Sequence, residues 1–432
     1  MNDLEAHFAL RLTQAIDELG ITGKELAAEL NHSEATVSNW RNGKYLPDVY
    51  TLAIIAHYFG KPVDWFLGSY ETAEDVRHEH KGIVWRVNIP QNALGQQRRE
   101  INLGVLLFDS LVRQNLGLDT IRNLTDFKDY DIETLYGFLK IALHSNALQL
   151  VAVPRNHDLE QRLQRLYPHL RENSFIVADI QDKNDGTLIR AEFVSFLAAT
   201  EVFSKIQYPD LIGIGAGYTV LRMAEQAVPS MDQFRGTTWV PLMSFRETIT
   251  NRYGANFICE LLANKFPKSA HQYYAFAPEA QNDVIFQAHD NLRTAFVSMN
   301  GLGRSSRSRT TASDTGDFRT ADFAEFARLR RVYQRLTTPE MRSRIGGSFL
   351  GYVFDQQGKI IDDMMEGANQ EVGQISLPRW KAINGRGRVW VVAARLYKAL
   401  PVWIAIRTGL ANSLVIDNEI AEFILEAEHE YR

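Results

Sequence analysis

The sequence predicts a multidomain α plus α/β protein, and three observations carry that reading. The first 68 residues place apolar side chains at helical spacing in a series of short, separately capped segments. From Leu148 onward, short β-rich apolar runs alternate with helical stretches, the pattern of a mostly parallel sheet with helices on its faces. Between the two lie a charged stretch and a second helical segment. The boundaries read from these shifts are a helical domain over 1–70, a linker over 71–98, a helical segment over 99–157 and an α/β domain over 158–432.

Bulk composition bounds what these domains can do. A chain of 432 residues has room for two to three domains, and 45% hydrophobic with 23% charged residues is ordinary for a globular protein. The net charge of −5 gives no overall basic signature, so any nucleic-acid contact must be local. Cys259 is the single cysteine, which excludes an intramolecular disulfide and a multi-cysteine zinc site. It reads as a small buried hydrophobe, and neither a metal nor a cofactor is expected. No apolar run is long enough to span a bilayer. The start, Asn2-Asp3-Leu4-Glu5, lacks the basic-then-apolar order of a signal peptide. The expectation is a cytoplasmic protein with no membrane partner.

Leu4, Phe8, Leu12, Ile16 and Leu19 define a first helix that Gly20 stops. Lys24 to Leu30 and Ser33 to Arg41 form two short helices, and Tyr50 to Phe59 a fourth with Leu52, Ile55, Ala56 and Phe59 on one face. Pro62 opens a last one holding Val63, Phe66 and Leu67. Thr22 with Glu25 makes a capping box for the second helix. Asn31 tolerates the left-handed backbone of a sharp turn, and Ser33 caps the third helix. Val37 and Trp40 then face the core, which leaves Glu34, Ala35, Thr36, Ser38, Asn39 and Arg41 facing outward.

With Trp40-Arg41-Asn42-Gly43-Lys44 and the following Pro47, this run resembles the Cro/repressor-type helix-turn-helix family over about residues 6 to 68. The resemblance implies that the third helix enters the major groove of double-stranded DNA. It places Ser33, Glu34, Thr36, Ser38 and Asn39 near bases or adjoining phosphates, and Arg41 and Lys44 on phosphates. Gly23 stands where the family often has glutamine. Residues 1–70 carry five Lys or Arg against nine Asp or Glu, so counterion release by one domain is small. A homodimer or homotetramer is expected to build affinity.

Residues 71 to 82 are mostly polar and charged and read as linker. Ile101 to Leu107, Leu118 to Leu124, Ile132 to Leu143 and the strand 148–153 are laid out like a degenerate winged helix. Asp126, Asp129 and Glu133 at its turn would repel phosphate, so the segment reads as structural or dimer-forming. Gly303 to Gly316 has no apolar side chain larger than alanine and reads as a solvated loop, its three arginines also open to phosphate.

The α/β domain is expected to build strands from Phe175-Ile-Val-Ala, Leu211-Ile-Gly-Ile, Trp239-Val-Pro-Leu, Tyr273-Tyr-Ala-Phe, Thr294-Ala-Phe-Val, Val389-Trp-Val-Val and Leu414-Val-Ile. The second of these runs into a loop with Gly213, Gly215 and Gly217, and a helix starts near Thr219. Free amides at such a helix start attract anions. Taken in order with Tyr253-Gly-Ala-Asn, Ala295-Phe-Val-Ser-Met-Asn-Gly, Gly346-Gly-Ser-Phe-Leu-Gly-Tyr-Val-Phe-Asp and Val391-Val-Ala-Ala-Arg-Leu-Tyr-Lys, the stretch resembles the SorC-type sugar-responsive regulators over about 150 to 428. That resemblance implies a Rossmann-like effector domain of the sugar-phosphate isomerase/CoA-transferase-like type. It assigns effector binding to Gly213, Gly215, Gly217, Tyr218 and Thr219 in the loop and to Lys398, with Arg246, Asn256 and Asp355 nearby. The family's paired glycines before the lysine are here Ala394 and Arg395, and its arginine and glycines after the Trp239 strand are Met243, Ser244 and Phe245.

The reading is a ligand-responsive DNA-binding transcription regulator whose effector is a phosphorylated sugar or a nucleotide-like molecule. The effector would favour one arrangement of paired DNA-reading helices over another. Two alternatives stay open. One is an enzyme of the isomerase-like fold acting on a sugar phosphate, although no His/Asp or Glu pair beside the glycine loop offers acid–base catalysis, so no catalytic residue is assigned. The other is a signalling or defence component that senses a nucleotide-derived signal.

Overall fold

The caps and apolar runs of the sequence become the elements of a computed structural model that describes residues 3–30, 32–61, 63–67, 76–89, 93, 95–124, 126–180, 187–206, 211–228, 234–245, 253–266, 274–276, 283–299, 345–361 and 372–431. Asn31, Pro62, Arg246 and the 303–316 loop lie outside these residues. The chain divides into two units, Met1–Arg77 and His78–Arg432.

In the first unit the helices are α1 (Asp3–Leu19), α2 (Gly23–Glu29), α3 (Glu34–Arg41), α4 (Val49–Tyr58) and α5 (Val63–Leu67). Each start has a chemical cause. The Thr22/Glu25 capping box opens α2, Ser33 Oγ accepts from Thr36 N at 3.1 Å to open α3, and Asp48 accepts from Thr51 N at 2.9 Å to open α4. Phe8, Leu12, Ile16, Leu26, Ala27, Val37, Trp40, Leu52, Ile55 and Phe66 form one core. Burying a side chain of this size is worth about 1.5–3 kcal/mol. Leu19, the last apolar residue at helical spacing in α1, is exposed at the helix end, beyond the last buried position Ile16.

The second unit opens with a three-stranded sheet, β1 (Val76–His80), β2 (Ile83–Val87) and β3 (Leu148–Ala152), in the order β1-β2-β3. Strands therefore occupy part of the stretch read as linker. Lys81 and Gly82, both at positive φ, make the two-residue turn between β1 and β2. Polar residues dominate β1, an edge strand, which is why composition disguised it. The strand read as a possible wing, β3, pairs antiparallel with β2. Between them run α6 (Gly95–Val112), α7 (Leu118–Arg122) and α8 (Ile132–His144). Helices α6 and α8 meet at Gly104, where a Cβ would sit 2.1 Å from the Phe138 carbonyl oxygen.

The remainder is an α/β layer. Its strands are β4 (Phe175–Ala178), β5 (Leu211–Ile214), β6 (Thr238–Pro241), β8 (Thr294–Val297), β12 (Arg388–Ala393) and β13 (Ser413–Asp417). They form a six-stranded sheet in the order β4-β13-β12-β8-β5-β6, every pair parallel. Period-two alternation divides their side chains between two cores: Ile176, Ile212, Phe296, Val392 and Val415 face one way, Phe175, Val177, Val297, Val391 and Ile416 the other. Smaller antiparallel pairs join β7 (Met243–Phe245) to β11 (Val372–Gln374), and β9 (Ile345–Phe349) to β10 (Tyr352–Asp355). Among the described residues this layer also has helices α9 (His157–Leu166), α10 (Thr187–Leu197), α11 (Tyr218–Gln226), α12 (Ala255–Lys265), α13 (Asp283–Asn291), α14 (Leu377–Arg386), α15 (Ala399–Arg407) and α16 (Asn418–Tyr431).

One expected strand is not formed among the described residues, and Tyr273 lies outside them. Residues 274–276 of the Tyr273-Tyr-Ala-Phe run are irregular. The Asn256 side chain takes both backbone polar groups of Phe276, accepting from its N–H at 3.1 Å and donating to its carbonyl at 2.9 Å. Tyr274 N donates to the Trp239 carbonyl of β6 at 2.9 Å, so the segment runs beside the sheet and the amide clamp satisfies Phe276.

Connections from β5 lead to one side, to β6, whereas those from β8 lead to the other, to β12 and β13. Neighbouring strands whose connections part in this way open a crevice at their carboxyl ends, where α/β sheets bind ligands.

Candidate functional site

At that crevice the glycine loop, the end of β8 and the turn after β12 come together. Gly215 N donates to the Phe296 carbonyl at 2.8 Å, and a Cβ at Gly215 would lie 3.1 Å from that oxygen, so the loop is drawn tightly against β8. Gly217 has φ +127, and a Cβ there would lie 3.1 Å from Ser298 Cβ. Its N–H donates to the Tyr253 carbonyl at 2.9 Å. Thr219, on the first turn of α11, donates its hydroxyl to the Val392 carbonyl at 2.8 Å and lies 3.2 Å from Ser298 Oγ. Lys398 donates from Nζ to the same Ser298 Oγ at 3.2 Å and is only 7% exposed. Lysine is almost never buried without a task for its charge, so this placement separates Lys398 from an ordinary surface lysine. Ser298, inside the Ala295-Phe-Val-Ser run, joins loop and lysine, a role the sequence pattern did not single out.

Other residues assigned from sequence serve the frame. Gly213 lies within β5, where a Cβ would meet Leu242 Cδ2 at 2.9 Å, so its smallness serves packing. Tyr218 donates its hydroxyl to Glu192 on α10 rather than toward a ligand. Asn256 spends its amide on Phe276, as above. Asp355 closes the turn after β10, its Oδ1 accepting from Gln357 N and Lys359 N, each at 2.9 Å.

Charged groups that the sequence pattern did not single out stand at the end of β13 and on α10 and α11. Asp417 is fully buried; its Oδ2 accepts from Arg395 N at 2.8 Å and its Oδ1 from Ile420 N at 3.0 Å. Burial pushes its carboxyl above the usual range, against the pull of Arg190, whose Nη1 lies 3.9 Å away. Behind the loop, Arg222 donates Nε to both oxygens of the fully buried Glu192, at 3.0 and 2.9 Å, and pairs through Nη1 with Glu225. Glu225 also meets His144 of α8 at 3.3 Å. Burial alone would raise Glu225, but the His144 and Arg222 contacts outweigh it and hold the carboxyl at about 2. Partners drawn from three helices far apart in sequence left no local signal.

In the first unit, Val37 and Trp40 are buried, whereas Ser33, Glu34, Ser38, Arg41 and Lys44 are exposed and Thr36 and Asn39 half-buried. Glu34 lies 3.8 Å from Lys24 across α2 and α3. Ser33 Oγ and Thr36 Oγ1 are 2.8 Å apart, Ser38 Oγ accepts from Asn42 Nδ2 at 3.3 Å, and Asn39 Nδ2 reaches Tyr45 Oη at 3.5 Å. Gly23 leaves room for Arg41, whose Nη1 lies 3.4 Å from where a Cβ would be.

Residues 152–426 match the family model described as "Putative sugar-binding domain", and residues 12–66 match a helix-turn-helix model. No curated protein matches the chain. Similar solved structures include the full-length sorbitol operon regulator SorC from Klebsiella pneumoniae, 18% identical over 75% of this chain and 98% of that one, with a TM-score of 0.47. A DeoR family transcriptional regulator from Listeria monocytogenes is 20% identical over 62% of this chain and 98% of that one, TM-score 0.43. A transcriptional regulator from Streptococcus pneumoniae TIGR4 is 17% identical over 63% and 97%, TM-score 0.47. Among the described residues no helix is long and apolar enough to cross a membrane, and no group of His, Cys, Asp and Glu is arranged to hold a metal ion.

Proposed function

Because this chain belongs to the sugar-binding-domain family and carries a helix-turn-helix ahead of that domain, we propose a DNA-reading regulator whose sugar effector is phosphorylated and sits against Lys398. It is a sugar-responsive transcription regulator and not an enzyme. The observation that carries the phosphorylated effector is the burial of Lys398, its Nζ 3.2 Å from Ser298 Oγ, beside the Gly217 turn that opens α11. A buried ammonium beside the start of a helix is a setting for phosphate. The effector-contacting set is Gly215, Gly217, Thr219, Ser298 and Lys398. The all-parallel order of the sheet supports the sugar-phosphate isomerase/CoA-transferase-like type for this domain.

For DNA, α3 presents Glu34, Thr36, Ser38 and Asn39 to the major groove, with Arg41 and Lys44 on flanking phosphates. The acidic balance of residues 1–70 makes a single reader weak, so the protein works as a homodimer or homotetramer with paired readers.

The test is a thermal-shift screen with sugar phosphates and their unphosphorylated sugars, since a ligand that binds only the native state raises its stability. A phosphorylated sugar is expected to raise Tm where its parent sugar does not. Lys398→Ala should abolish the shift while DNA binding at low salt survives. A Lys398→Ala protein that still responds in full would remove phosphate from this crevice.

A further inference from the structure

We infer that the amino-terminal edge of the sensor sheet is a second contact for the DNA backbone, built by Arg171, Arg293, Arg386 and Arg388. This rests on the DNA-reading function proposed above, and the edge lies at the opposite end of the strands from the effector crevice. Hydrogen bonds hold the four residues in one place. Arg171 Nη2 donates to the Arg386 carbonyl, at the end of α14, at 3.3 Å. Arg388, the first residue of β12, donates Nη1 to the Asn173 carbonyl at 3.3 Å and Nη2 to the Glu172 carbonyl at 2.7 Å, just ahead of β4. Its own N–H donates to the Arg293 carbonyl at 2.8 Å, just ahead of β8. Arg386 donates Nε to the Leu292 carbonyl at 3.0 Å and Nη2 to the His289 carbonyl at 3.3 Å. Arg171, Arg293 and Arg386 are exposed and Arg388 is half-buried.

The guanidinium bonds in this cluster go to neutral carbonyls, so they fix side chains and leave the charge uncompensated. Among the described residues no carboxylate pairs with any of the four. The Asp290 carboxyl, lowered by Arg379 first and more weakly by Arg386, is already bound by Arg379 at 2.7 and 3.1 Å. Burial, and then the charge of Arg171, push the Arg388 guanidinium below its ordinary range. Like charges pinned together cost stability that a bound anion recovers. The anion that fits is long and regularly charged. From β4 across β13 and β12 to β8 the edge spans three strand spacings, about 14 Å, the length of about four phosphates along one DNA strand. Residues 1–70 carry five Lys or Arg against nine Asp or Glu, so the reader releases few counterions, and the arginine edge adds to them. Contacts of this kind position a duplex without reading its sequence.

The experiment follows binding of the full chain to a mixed-sequence duplex of about 40 base pairs by fluorescence anisotropy at several salt concentrations. Wild type is compared with Arg171→Gln/Arg293→Gln and with the charge-keeping Arg171→Lys/Arg293→Lys. A control, Arg162→Gln/Lys205→Gln, removes equal charge from two exposed ion pairs elsewhere in the sensor. The glutamine pair at the edge should bind at least about tenfold more weakly at about 50 mM salt and lower the salt slope by about two. The lysine pair should keep most of the affinity, and the control should stay within about twofold of wild type. An unchanged slope in Arg171→Gln/Arg293→Gln, with Arg41→Ala still lowering it, overturns the arginine edge and leaves the reader standing. An equal loss in the control makes the effect one of net charge, and a loss that lysine does not rescue makes it one of structure; either overturns the contact. A smaller mass for the glutamine pair in ultracentrifugation assigns the edge to contact between copies of the chain and overturns it as well. Failure of wild type to bind the duplex at about 50 mM salt overturns the DNA reading itself, and the arginine edge with it.

Discussion

The two units place their working side chains in opposite settings. In the reader, one face of α3 makes the core through Val37 and Trp40, while Glu34, Ser38, Arg41 and Lys44 stand in solvent. In the sensor, Lys398, Thr219, Arg190 and Asp417 are all less than 9% exposed, and Arg222 with Glu192 is sealed behind them. Exposed side chains can change without disturbing the fold, whereas buried charges are bound up with it. Function and stability are therefore separable in the reader and coupled in the sensor.

The largest effect expected from that contrast is at Arg222. Arg222→Met leaves Glu192 charged and fully buried without its guanidinium, a change that costs about 3–5 kcal/mol. Urea unfolding of the sensor should record it, and a loss under about 1 kcal/mol would mean that water reaches the pair and the sensor interior is not sealed.

Acid gives the next effect. Burial holds His289 at about 4, below its ordinary 6.5, despite its bond to the Pro241 carbonyl at 2.9 Å. The unfolded chain takes up this proton before the folded one. Stability should then fall as pH drops from 6.5 through 4, by up to about 3 kcal/mol from this residue. Glu225, ordinarily at 4.5 and held at about 2, adds a further loss below pH 4.5. Replacing His289 by Gln should flatten the first window and spare the second. An unaltered profile in His289→Gln would assign the acid sensitivity elsewhere.

The smallest effect is on the reader. Arg41→Ala should weaken DNA binding evenly across sequences and lower the salt slope by about one. Its unfolding free energy should stay within about 0.5 kcal/mol of wild type. If stability drops instead, Arg41 is holding α2 and α3 together through its place over Gly23, and the separation drawn for the reader fails.

Local features were legible where the physics is local. The Thr22/Glu25 box and the Ser33 cap depend on residues three apart, and the structure forms them as the sequence predicts. Apolar runs such as Leu211-Ile-Gly-Ile and Val389-Trp-Val-Val became parallel strands because burial on both faces demands unbroken hydrophobicity. The Tyr273 run looked much the same, but its described residues 274–276 form no strand, and the Asn256 side chain from another element satisfies the backbone of Phe276. The polar β1 was hidden for the converse reason: an edge strand needs little apolar surface.

The sequence by itself determined the order of the parts, a capped helical reader and then an α/β sensor with a glycine loop, because periodicity and capping act within a few residues. Only the tertiary structure decided which polar groups share the crevice. It set Lys398 on Ser298 across 100 residues of chain, turned Tyr218 away to Glu192, spent Asp355 on a turn and held Arg395 in a glycine-like backbone. Contacts of that range depend on how strands stack and helices return, and no window of sequence contains that geometry.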